Sequence, residues 1–126
     1  MVRAVLALAL VATACSGSEG TAAHRPLPTH HVGKTARLAA AEGTLRGSVA
    51  DECLWVDTNG HRMDVSWPNG YTMSIDPVAV RNRRGRIVVH VGERVSMSGG
   101  YGPHATTTRC STGDDVFMAD AVSAAP

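Results

Sequence analysis

The chain has 126 residues, twelve basic and eleven acidic side chains, and only 4% aromatic residues. Its length allows one domain. The near-neutral balance gives no global field to attract nucleic acid, and the scarcity of aromatics leaves few residues for a base-stacking surface. Nucleic-acid partners are therefore not expected.

Residues 1–15 open the chain with Arg3 as a short positive segment and an unbroken apolar run from Val5 to Val11. Thr13 and Ala14 then lead into Cys15, followed by Ser16, Gly17 and Ser18. The apolar run is too short for a permanent transmembrane helix and has the layout of an export signal. It resembles the signal of bacterial lipoproteins. That resemblance implies a diacylated Cys15 at the mature N-terminus and an address on the extracytoplasmic face of the cell membrane. Ala12 stands where such signals usually carry Leu, and cleavage after Ala14 without lipidation, giving a secreted protein, is the alternative. Loss of residues 1–14 takes away Arg3 and leaves eleven charges of each sign.

Three cysteines are an odd number for an oxidising compartment. With Cys15 acylated, Cys53 and Cys110 remain to form one disulfide, closing a loop of roughly 58 residues. The chain-entropy model gives such a loop about 4 kcal/mol. No Cys-x-x-Cys is present, so the cysteines do not suggest a zinc knuckle or a redox motif.

Residues 15–43 read as a lipid-anchored flexible linker. Ser, Gly, Thr and Ala dominate its first half, Pro26 and Pro28 break regular structure, and such a segment buries too little apolar surface to order itself. A coil of about 28 residues reaches roughly 30 Å. Lys34 to Glu42 is Ala-rich but offers only two marginal helical turns before Gly43.

Strand signals begin at Thr44. Leu45 to Asp51 and Cys53 to Thr58 form the first two, with Leu54 and Val56 on one face and Cys53, Trp55 and Asp57 on the other. Asn59-Gly60 predicts a type I′ hairpin. His61 to Trp67 alternates cleanly as one half-buried strand, and Pro68-Asn69-Gly70 turns the chain into Tyr71 to Ile75. Asp76-Pro77 precedes Val78 to Arg81, a basic turn spans Asn82 to Arg86, and the apolar run Ile87 to Val91 suits a central strand. After Gly92-Glu93, Val95, Met97 and Gly99 alternate with Arg94, Ser96 and Ser98. A Gly-, Pro- and Thr-rich stretch then runs to Asp115, and Val116 to Val122 closes the fold.

These short strands and frequent turns predict an all-β domain over residues 44–122, with residues 123–126 as a tail. The segment from Val91 to Gly100, with its Gly-acidic turn, and the final strand Val116 to Val122 resemble the corresponding parts of small OB-type barrels. The resemblance implies an OB-like barrel of five to six strands; another small barrel or a sandwich is the alternative. The period-2 pattern places Met63, Val65, Trp67, Ile87, Val89, Val91, Val95 and Met97 inward, and Arg62, Asp64, Arg94, Ser96 and Ser98 in water.

Among candidate sites, His24 and His30-His31 fall in the linker without a spacing that holds a metal, and Met63, Met73 and Met97 read as core, so no metal or other cofactor is assigned. Ser66, Ser96 and Ser98 lie outside any Gly-x-Ser-x-Gly elbow, and adjacent Asp114-Asp115 point apart on an extended chain; no catalytic residue is assigned. Arg81, Arg83, Arg84 and Arg86 around Gly85 are the candidate contact for an anionic partner, with a solvated hairpin turn as the plain alternative. The function expected is a membrane-tethered interaction module contacting an envelope protein or cell-wall glycan. The alternative is a small-ligand or metal carrier on the same tether.

Overall fold

A computed structural model of the chain describes residues 24–33, 38–103, 110 and 115–126. All regular structure among these residues is β. The strands are β1 (His24–Pro26), β2 (Thr29–His30), β3 (Ala39–Ser48), β4 (Cys53–Thr58), β5 (His61–Met63), β6 (Val65–Pro68), β7 (Thr72–Ile75), β8 (Val78–Arg81), β9 (Ile87–His90), β10 (Arg94–Pro103) and β11 (Asp115–Ala124). They form a smaller sheet in the order β1-β7-β8-β9 and a larger one in the order β2-β6-β11-β10-β3-β4-β5. The two sheets do not close into a barrel. The expected OB-like barrel is thus corrected to two open sheets.

Turn chemistry explains much of the chain path. Asn59 and Gly60 both have positive φ, at 52° and 79°, and join β4 to β5 in the tight hairpin that an Asn-Gly pair favours. Long alternating segments supply the centre of the larger sheet, where β10 pairs antiparallel with β11 on one side and β3 on the other. Both sheets feed one core. Leu45, Val56, Val65, Trp67, Val95, Met97, Phe117 and Ala119 meet Met73, Val80 and Val89 of the smaller sheet there.

The segment expected to be a linker, residues 15–43, is corrected over its described part. β1 pairs with β7, β2 runs parallel to β6, and β3 begins at Ala39 rather than Leu45. Composition misjudged this stretch because its cost of ordering is offset from outside. Leu27 is buried in the shared core, and the amides of Trp67 and Asn69 donate to the carbonyls of Pro28 and His30. In the same way Ala40 to Glu42, read as weakly helical, become strand by pairing with β10. The expected tail also shortens: Ser123 and Ala124 belong to β11, and the amide of Ala125 donates to the carbonyl of Arg94.

His61 to Trp67 is two strands, not one. β5 pairs with β4, whereas β6 lies beside β11 and β2, and Asp64 marks the change of partner. Its carbonyl accepts from the amide of Phe117 and its carboxylate from Nε of Arg62 at 3.2 Å. Asp64 is therefore buried, a correction to its expected place in water. Val65, Trp67, Val89, Val95 and Met97 are buried as the alternation requires, while Met63, Ile87 and Val91 are half-buried. Arg62, Arg94 and Ser98 are exposed, and Ser96 is half-buried. The run from Ile87 sits at an edge of the smaller sheet, not its centre. Its apolar length reflects packing between sheets, which a run of β-branched residues does not distinguish from a central position.

Candidate functional site

Cys53 and Cys110 form a disulfide, with their Cα atoms 5.5 Å apart across 57 residues of chain. Cys53 is buried at the start of β4. Beside it, Trp55 projects from the sheet face opposite Leu54 and Val56, and the guanidinium of Arg62 lies over its ring at 4.1 Å. Nη2 of Arg62 donates to the carbonyl of Cys110 at 2.7 Å, and Nε to Asp64. One arginine thus links an indole, a buried carboxylate and the residue at the far end of the bridge. A second clamp holds the turn before β4, where Nε of Arg25 donates to Glu52 at 3.0 Å.

A polar group that the sequence did not disclose spans three strands of the larger sheet. Nδ1 of His30, on β2, lies 2.9 Å from Oγ of Ser66 on β6, and Nε2 lies 3.5 Å from Oδ1 of Asp120 on β11. The tautomer protonated at Nε2 satisfies both contacts, donating to Asp120 and accepting the Ser66 hydroxyl. His30 is only 9% exposed at its side chain, so it is not the solvated linker histidine expected. The two contacts clasp β2, β6 and β11 together. The amides of Trp67 and Asn69 add to the hold by donating to the carbonyls of Pro28 and His30. The bulge on β11 that aims Asp120 at His30 leaves no mark in an apparently regular strand pattern, so no sequence signal announces the group.

The basic turn joins β8 to β9. Oδ1 of Asn82 accepts from the amides of Arg84 and Arg86 at 3.0 and 3.1 Å. The amide of Asn82 donates to the carbonyl of Arg86, and that of Gly85 to the carbonyl of Asn82. Gly85 has φ of 77°, a conformation costly for other residues here. Arg81 is half-buried and donates from Nη1 to the carbonyl of Gly85 at 2.7 Å. Arg83, Arg84 and Arg86 are exposed and join no ion pair among the described residues. One of the four arginines, Arg81, thus braces the turn that presents the other three.

Cys15 lies outside the described residues. Among the described residues no helix is long and apolar enough to cross a membrane, and no cluster of three His, Cys, Asp or Glu side chains could hold a metal ion. No protein-family model, curated protein or solved structure matches this chain.

Proposed function

We propose that this protein is a lipid-anchored module on the extracytoplasmic face of the cell membrane, acting by contact with a partner in the cell envelope. The Cys53–Cys110 disulfide carries the reading. It belongs to an oxidising compartment, and it uses two of three cysteines, leaving Cys15 in the signal layout that precedes acylation. The filled core supports an interaction module over a carrier of small ligands: Trp67, Phe117 and Met73 are fully buried between the sheets, where a ligand cup would need room. Intact-mass measurement of the membrane-extracted protein tests the anchor. An acyl increment on a chain beginning at Cys15 is expected, with Cys15→Ser released to the medium or retained as precursor. An unacylated native chain in the soluble fraction overturns it.

A further inference from the structure

We propose that the turn from Arg81 to Arg86 docks on the anionic phospholipid headgroups of the membrane to which the protein is tethered. The inference rests on the lipid-anchor reading. Three exposed guanidiniums, Arg83, Arg84 and Arg86, stand within four residues without acidic partners among the described residues, on a chain whose formal net charge is only +1. Their charge is local, and guanidinium forks suit phosphate oxygens.

The turn is also held before any contact is made. Asn82 and Arg81 fix its backbone through the bonds described above, and the stem of Arg83 packs against Gly70, whose added Cβ would lie 2.9 Å from Cγ of Arg83. A fixed backbone reduces the ordering cost of binding.

The third support is reach. β1 begins at His24, so nine Cα steps separate it from Cys15, at most about 30 Å of chain in any conformation. Pro26, Thr72 and Arg81 form one row across β1, β7 and β8, which places the start of the basic turn two strands, roughly 10 Å, from β1. The chain from Cys15 enters β1 at its other end, His24, and its length lets this turn reach the headgroups. Docking there would orient the domain and choose which surface faces a partner.

The test uses the mature chain carrying Cys15→Ser, so that no acyl chain contributes and its result is independent of whether Cys15 is lipidated. Sedimentation with phosphatidylglycerol–phosphatidylcholine vesicles at low salt is compared with pure phosphatidylcholine vesicles. Binding to the anionic vesicles that weakens as salt rises is expected. The Arg83→Gln/Arg84→Gln/Arg86→Gln variant should partition roughly a hundredfold less, at about fivefold per charge near an anionic surface. The corresponding triple Lys variant should keep most of the binding, which separates loss of charge from loss of fold. Equal partition onto neutral and anionic vesicles, salt-independent binding, or a Gln variant that binds like the parent overturns the proposal.

Discussion

Asp120 directs its carboxylate at Nε2 of His30 from the one place in β11 where the ladder to β10 skips a residue. Ser98 pairs with Ala121 and Gly99 with Ala119, so Asp120 between them has no partner on β10. A bulge re-aims the side chain it carries. Here it brings a carboxylate from β11 past β6 to an edge strand that pairs through only two residues, Thr29 and His30. The clasp gives β2 a hold that its ladder is too short to provide.

His30→Ala should therefore loosen the N-terminal segment. It removes the partner of a half-buried hydroxyl and a carboxylate, a loss of about 1–2 kcal/mol. Amide hydrogen exchange should rise first at Trp67 and Asn69, whose N–H groups donate to Pro28 and His30. Exchange at those two amides equal to that of the parent would show the clasp to be idle.

The disulfide should matter more for stability than any single side-chain contact. Reduction, or the Cys53→Ala/Cys110→Ala pair, should lower unfolding free energy by about 2–4 kcal/mol in urea titration. An unchanged denaturation midpoint would count against a bridge that restrains the unfolded chain.

What the sequence disclosed follows from the range of its signals. Asn59-Gly60 and the inward turn of Val65 and Trp67 are local signals, and both hold in the fold, with Met63 half-buried. The pairing of Cys53 with Cys110 needed only compartment and parity. Partners far along the chain were illegible: Leu27 and His30 gain their order from residues such as Trp67, Ser66 and Asp120, which composition of the segment itself does not contain. Asp64 shows the same failure in miniature. A perfect alternation conceals the point where one strand leaves its partner for another.

Gly43, which follows the Ala-rich stretch, lies inside β3 and permits a close approach. A Cβ there would collide with the carbonyl oxygen of Asp57 and lie 2.6 Å from Cγ1 of Val56. Both obstacles belong to β4, and the first is backbone. Gly43→Ala should cost about 1–3 kcal/mol, as overpacking does. Gly33→Ala, with open space around it, serves as the control. A Gly43→Ala protein as stable as that control would show that β3 and β4 can separate without penalty.

The turn from His90 to Glu93 should impose a pH dependence. The backbone N–H of His90 and then its ring, both bonded to Oε1, together with attraction to the imidazolium, lower the pKa of Glu93 from 4.5. A carboxylate with a depressed folded pKa stabilises the fold above its unfolded value, and that contribution disappears as pH falls through the folded value. The stability difference between parent and Glu93→Gln should hence be full above about pH 4.5 and shrink below it. Arg94, the adjacent cation, is already engaged by Glu42 at 3.7 Å. Urea titrations of both proteins across the carboxylate range, from about pH 6 to about pH 3, give the comparison. A difference independent of pH would assign the contact to shape rather than charge.

At Ser74 a substitution should bring a gain. Ser74 lies in β7, completely buried, and its Oγ finds no hydrogen-bond partner among the described residues. Folding strips that hydroxyl of water and returns nothing for it, a penalty of about 1–3 kcal/mol. Ser74→Ala removes the polar atom while shrinking the side chain little, so the relieved desolvation competes only with a small lost volume. The variant should be as stable as the parent or more stable by about 1 kcal/mol. Ser66→Ala is the contrasting case, because the Ser66 hydroxyl bonds to His30. It should destabilise, and the opposite signs of the two substitutions are the measurement. A loss at Ser74 equal to that at Ser66 would mean that the buried hydroxyl of β7 is satisfied after all.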